Sequence, residues 1–344
     1  MPDSTQRAFG GAIAAPGTER DLLRQQEVLT VQRNLPIDDP GPVRLDPLSD
    51  EAMEIFTSWQ PKEQGKMRST CVAFSVLAMA ELYERLVTGG DEMPDYSEEF
   101  LYSKMRRKHA RCPLPPNYED GSSFMQQAGD ALEKWGVCST RLMPYELRTS
   151  IADYLEFPST PVKENAARRQ FPEHYFTYLR LYLDDCEQAN GKEAWKNEKL
   201  AERIRSELQS GNPVAAAFPI YRGDNQWTHP ASTGWRRGNI GDPDKYAHVV
   251  DAFADNEIGK KPIIGGHAVC IVGFREGQDG RDGRFLFRNS WGKRFAAEFR
   301  DLNDDDLLRL PGAGYGTISA AHVENHCWEL LFRNRANEKG LHTH

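Results

Sequence analysis

The chain has 344 residues, 39% of them hydrophobic and 27% charged, and a formal net charge of −8. These values fit a soluble globular protein of one or two domains with ample chain for a core. The acidic balance argues against nucleic acid or an anionic membrane as partner, and no apolar run reaches the roughly 18 residues of a membrane-spanning helix. MPDSTQRAFGGAIAAPGTERDLL lacks a basic region followed by a long apolar one, so no secretory signal is expected. Six cysteines, at 71, 112, 138, 186, 270 and 327, form no CxxC pair and no Cys/His metal spacing. Reduced thiols, a cytoplasmic location (or delivery into a host or target cell), no metal and no cofactor are the expectation.

Residues 1–48 are polar and broken by Pro36, Pro40, Pro42 and Pro47; beyond one short helix in ERDLLRQQEVLTVQRNL they read as an extended arm or short regulatory segment. From Thr70 the pattern turns helical. Val72, Phe74, Val76, Leu77, Met79, Ala80, Leu82, Tyr83 and Leu86 cover most of a helix surface, so this helix is expected to be buried nearly all round and to stop at Gly89. SEEFLYSKMRRKHA predicts a second helix with Ser97 as its N-cap. SSFMQQAGDALEKWG predicts a third, capped by Ser122 or Ser123 and ended by Gly136.

Residues 145–200 carry charge, proline and aromatics without a period and read as a long connection or insertion. NEKLAERIRSELQSG is an amphipathic helix ending at Gly211. The period then changes. NPVAAAFPIY and HAVCIVGFRE predict strands, and GQDGRDG turns the second into RFLFRNSW as a hairpin. GYGTISAAHV and CWELLFRN close the chain as extended segments. A helical half before a β-rich half implies two lobes with a cleft between them.

Cys71 stands where a loop enters the buried helix. There the macrodipole and unpaired N–H groups favour a thiolate. Gln64, seven residues upstream in the loop, can aim its amide N–H at a developing oxyanion beside the backbone N–H of Cys71. His267 in IIGGHAVCIVGF is the candidate base. Two glycines allow a close approach before it, and a strand holds it afterwards. Asn289 in FRNSWGKRF can accept from the imidazole and fix its orientation, and Trp291 can cover that bond. Cys270 on the same strand reads as core. His229 and His248 read as loop or surface residues, His248 being the second choice of base, and DLNDDD as a solvated acidic turn.

QGKMRSTCVAFS, GGHAVCIVGF and RNSWG, in that order, resemble the papain-like cysteine proteases, in particular their bacterial branch. DGSSFMQQAGDALEKWGVCSTRLMPY, SGNPVAAAF and GYGTI extend the resemblance over roughly residues 50–333. It implies an α+β, two-lobe fold with a helical left lobe, an antiparallel β-barrel-like right lobe and the active site in the cleft. The corresponding domains are 49–333 (a helical lobe to about 145, a connection over 146–204, a β lobe over 205–333) and a polar tail, 334–344. The implied activity is cysteine endopeptidase. Cys71 is the nucleophile, His267 the acid and base, Asn289 its orienter and Gln64 the oxyanion donor. Gly121 and Ser122 lie in the substrate-side loop, and Ala217 and Ala268 line the pocket for the second residue before the scissile bond.

Four features depart from the family pattern. Ser69-Thr70 precedes the cysteine and Val72 follows it, where the family has small residues and an aromatic. The Gln64-to-Cys71 step is one residue longer than the family's usual six, and Cys71 to His267 spans 196 residues, longer than usual. The half-cystines of papain's structural disulfides are absent. No long inhibitory prosegment is evident, so control is expected from substrate choice, from residues 145–200 and 222–262, or from a regulatory or inhibitory protein. The expected partner is a specific protein or peptide substrate inside a cell. The other readings open at this point are a papain-like binding module without turnover, and acyl transfer of deamidase or transglutaminase type on the same Cys/His core.

Overall fold

The computed structural model describes residues 49–89, 92–106, 122–148, 158–180, 199–221, 227, 238–241, 263–277, 283–296 and 311–334. The N-terminal arm, the tail beyond residue 334, Gly121, His229, His248 and the acidic run DLNDDD lie outside them, as do most of residues 222–262.

The first helix, α1 (Asp50–Ser58), starts at Ser49, whose Oγ accepts from the Ala52 N–H at 3.1 Å, with Asp50 and Glu51 in its first turn. Helix α2 (Cys71–Thr88) is buried at every position from Cys71 to Leu82 and ends at Gly89 in the left-handed region, φ 59°. Helix α3 (Glu98–Met105) has the expected cap, Ser97 Oγ accepting from the Phe100 N–H at 3.0 Å.

Helix α4 (Met125–Trp135) ends at Gly136 as expected but is not capped by Ser122 or Ser123. Gln127 Oε1 accepts from the Phe124 N–H at 2.9 Å, and Glu329, from the far end of the chain, accepts from the Met125 N–H at 3.0 Å. A carboxylate meets a helix N-terminus better than a hydroxyl does, so a tertiary contact replaces the local cap.

The segment read as a connection holds two elements, α5 (Thr160–Ala167) and strand β1 (Phe176–Arg180). Helix α6 (Leu200–Gln209) follows, then β2 (Val214–Tyr221), β3 (Asn239–Ile240), β4 (Ile263–Arg275), β5 (Arg284–Arg288) and β6 (Tyr315–Ser319). SAAHV is not extended. Ser319 Oγ accepts from the His322 N–H at 3.1 Å and starts α7 (Ala320–His326), after which β7 (Glu329–Arg333) closes the chain.

Among the described residues the strands form one sheet in the order β1-β7-β2-β4-β5-β6-β3, antiparallel except for the β3–β6 pair. Strands β4 and β5 form the expected hairpin, Arg275 opposite Arg284. The period of two divides the sheet between two cores. Ala215, Ala217, Ala268, Cys270 and Val272 face the cluster that includes Cys71, Val72, Val76 and Leu132. Val214, Ala216, Phe218, Val269 and Ile271 face a second cluster with Ile204 and Leu208 of α6 and Val323 of α7. Helices thus cover both faces, and the first turns of α2 pack in one cluster with Ala268 of β4. Among the described residues no helix is long and apolar enough to cross a membrane.

Candidate active site

The Gln64 loop and the RNSWG segment are stitched together by backbone. The Gly292 N–H donates to Lys62 O at 3.1 Å, Glu63 and Trp291 form an antiparallel bridge, and the Gln64 N–H donates to Ser290 O at 2.8 Å. Two glycines permit this. Gly292 has φ +70°, and a Cβ there would sit 3.1 Å from Glu63 Cβ. Gly65 has φ +68°, with Leu147 Cδ2 3.1 Å from where its Cβ would be. Gln64 is buried, and its Oε1 accepts from Ser290 Oγ at 2.6 Å. That bond fixes the amide and turns its NH2 end away from Ser290.

His267 is fully buried. Its Nε2 lies 2.7 Å from Asn289 Oδ1. An amide oxygen only accepts, so Nε2 carries the hydrogen and Nδ1 keeps its lone pair. Nδ1 has no hydrogen-bond partner. The same Oδ1 accepts from the Ser290 N–H at 2.7 Å, and the Asn289 N–H donates to Gly314 O at 2.8 Å, so the orienting amide is itself held. Trp291 lies against the imidazole, with ring centroids 4.3 Å apart and planes 32° from parallel. Trp227 meets the ring edge-on at 5.4 Å. Burial pushes the His267 pKa down to about 4, against the opposing pull of the Asn289 hydrogen bond.

Cys71 is the first residue of α2 and is fully buried. Thr70 does not cap the helix with its side chain, and the first turn has no acidic residue. The positive end of the helix is therefore left for another negative group. Phe74 and Ser75, one turn beyond Cys71, line a small cavity with Ala268, Asn289 and Ser290. Ala217 and Ala268 are cross-strand partners, both buried in the cluster that holds Cys71. Ser122 is buried just before α4. Hydrogen bonds and ring contacts thus join His267 to Asn289 and Trp291 and, through Ser290, to Gln64, while Cys71 joins them through the packing of α2 on β4.

Behind the site lies a charge cluster that sequence reasoning missed. Lys62 Nζ reaches Glu81 Oε1 and Glu98 Oε1 at 2.7 Å and Asp95 Oδ1 at 2.9 Å. Burial works to lower the Lys62 pKa, but the three carboxylates outweigh it and hold it above its ordinary value. Burial pushes the Glu98 carboxyl up to about 7, against the pull of Lys62, and Glu81 adds to the rise.

The Glu98 and His267 shifts act on stability with opposite sign. Glu98 binds its proton more tightly when folded, so its contribution is present below pH 4.5 and is lost as pH rises towards 7. His267 binds its proton less tightly when folded, so its contribution is present above pH 6.5 and is lost as pH falls towards 4. Urea unfolding across pH 4–7 is expected to show the stability difference between wild type and Glu98→Gln shrinking with rising pH, by about 3 kcal/mol. The difference between wild type and His267→Phe is expected to grow over the same range by about as much. Slopes of the same sign would contradict this reading.

Trp227 and Lys62 carry no local sequence signal. Trp227 sits in a segment without period. Glu81 is the one acid in the buried run from Cys71 to Leu82 of α2, and an acid in such a run is a signal of a buried partner.

No protein-family model and no curated protein matches the chain. Among solved structures the chain is similar to xylellain, a cysteine protease from Xylella fastidiosa, with 18% identity and a TM-score of 0.55 over 95% of this chain and 96% of that one. It is also similar to digestive procathepsin L2 proteinase from the larval midgut of Tenebrio molitor, with 17% identity and a TM-score of 0.51 over 97% of this chain and 80% of that one. The chain has the α+β, two-lobed fold of the papain-like cysteine proteases.

Proposed function

We propose that the chain is a cysteine endopeptidase acting on a specific protein inside a cell. The observation that carries this reading is the 2.7 Å bond from His267 Nε2 to Asn289 Oδ1, which leaves the buried Nδ1 with a lone pair and no partner. A base with one nitrogen anchored and the other available is what a thiol nucleophile needs. In this reading His267 takes the Cys71 proton, and the sulfur attacks the scissile carbonyl. The Gln64 amide and the Cys71 N–H receive the oxyanion. The imidazolium returns the proton to the leaving amine. Water, deprotonated by His267, then hydrolyses the thioester and restores the thiol.

Mass spectrometry of new protein N-termini, comparing cells carrying wild type with cells carrying Cys71→Ala, tests the reading. Wild-type-specific termini at a small set of sites are expected. Modified glutamine side chains without new termini would indicate acyl transfer instead, and no Cys71-dependent change at all would indicate a binding module. On a substrate found this way, Gln64→Ala is expected to lower kcat by roughly 10²–10³-fold with little change in KM, since the amide acts on the oxyanion and not on the ground state. An unchanged kcat would remove Gln64 from the mechanism.

A further inference from the structure

We propose that Arg68 is a positioning residue that sets Gln64 and the entry to Cys71 through Tyr145. The catalytic part of this inference rests on the peptidase reading above.

The step from Gln64 to Cys71 is seven residues. Part of that length is taken up in a tight turn, the Thr70 N–H donating to Arg68 O at 3.1 Å across Ser69. Residues Gly65 to Ser69 place no side chain in the hydrophobic clusters, and Met67 is 53% exposed. Apolar burial therefore does not hold this loop.

A polar clamp holds it instead. The Arg68 side chain is fully buried. Its Nη1 and Nη2 donate to the two oxygens of Glu99 at 2.7 and 2.8 Å, and Nη2 also donates to Glu146 O at 2.7 Å. Glu99 Oε2 accepts from the Glu146 N–H at 3.1 Å, so the ion pair grips both backbone groups of Glu146. The guanidinium carbon lies 4.6 Å from the Tyr145 ring centroid and 5.6 Å from that of Tyr102. A planar fork that binds a carboxylate and stacks on aromatics is arginine chemistry that lysine cannot reproduce.

The phenol held in this way pins both ends of the loop. Tyr145 OH donates to Gln64 O at 2.8 Å and accepts from Thr70 Oγ1 at 2.8 Å. Its ring meets Phe74 of α2 edge-on at 4.9 Å. The two residues so fixed are the oxyanion candidate and the residue before Cys71. The Arg68 guanidinium acts on both through Tyr145.

The test uses Arg68→Met together with Glu99→Leu, which leaves no carboxylate buried alone, and Arg68→Lys alone. In the double variant kcat for peptide cleavage is expected to fall roughly 10–100-fold with KM within about threefold, because the oxyanion donor is misplaced. Alkylation of Cys71 by iodoacetamide is expected to stay within about twofold of wild type, because displacement at that carbon forms no oxyanion. Arg68→Lys is expected to lie between wild type and the double variant. Backbone amide exchange over Gln64–Thr70 is expected to quicken about tenfold, with exchange in β4 and β5 unchanged. A parallel fall in alkylation and kcat, or unchanged kcat, would overturn the proposal. If the wild type shows no Cys71-dependent cleavage, the peptidase reading fails and amide exchange alone decides: unchanged exchange over Gln64–Thr70 overturns the clamp.

Discussion

A Cys71→Ser variant is expected to lose peptide cleavage by roughly 10⁶-fold while folding as wild type. Oxygen for sulfur changes little in volume, so the core around the first turn of α2 should hold. The chemistry does not survive the exchange. A serine hydroxyl is a far weaker acid than a thiol. At the N-terminus of α2 it therefore stays protonated, and His267 would have to remove the proton during the attack itself. A thiol is different, because the uncapped N-terminus of α2 stabilises the anion left behind. Residual cleavage would come from oxyanion stabilisation and binding alone. Initial rates on a peptide spanning a mapped cleavage site measure the loss, with thermal unfolding confirming the fold. Cleavage within tenfold of wild type would mean that the sulfur is not the nucleophile.

Arg288→Met is expected to lower the unfolding free energy by about 3 kcal/mol or more. Arg288 is buried at the end of β5, next to Asn289. Its Nη1 donates to Trp59 O at 2.7 Å and to Tyr315 OH at 3.2 Å, and its Nη2 donates to Gln60 O. Its guanidinium lies 3.7 Å from the Trp59 ring centroid. Tyr315 OH in turn donates to Phe56 O at 3.1 Å. One side chain thus ties the sheet to the chain that leaves α1 and runs on to Gln64. Methionine would fill the volume but leave two carbonyls without their donor and forfeit the cation–ring contact. Arg288→Lys keeps the charge without the fork and should cost less. Urea titration gives the free energy. Because Asn289 follows directly, the His267–Asn289 bond should loosen too, and cleavage should fall further than the folded fraction. A loss below 1 kcal/mol for Arg288→Met would contradict this account of the inter-lobe tie.

Local signals made part of this legible in the sequence. Ser97 and Gly89 mark helix ends, as a capping serine and a glycine stop signal locally. The apolar, β-rich run of β4 and the Gly-rich turn before β5 mark the hairpin. Gln64, His267, Asn289 and Trp291, read from separate motifs, meet in space through Ser290 and the Asn289 amide. What was hidden depends on partners distant in the chain. The α4 cap comes from Glu329, 204 residues away, so Ser122 and Ser123 looked like the answer. Arg68 and Glu99 are 31 residues apart and become a pair only when α3 packs beside the loop. Strand β1 is five residues long in a charged setting, and it owes its form to pairing with β7. Helix α7 opened on Ser-Ala-Ala after a strand, where the cap signal was outweighed by the extended run before it.

Cysteine alkylation at pH 6 tests most directly whether Cys71 and His267 act as a coupled pair. Cys71, Cys138, Cys270 and Cys327 are all buried, so access does not favour Cys71 among them. Burial pushes the Cys138 thiol up to about 11 and those of Cys270 and Cys327 higher still, which keeps all three protonated. With iodoacetamide and peptide mapping, Cys71 is predicted to be modified well before Cys138, Cys270 and Cys327, and this preference is predicted to vanish in His267→Phe. Labelling of Cys71 no faster than of those three, or a preference that survives the loss of His267, would contradict the account.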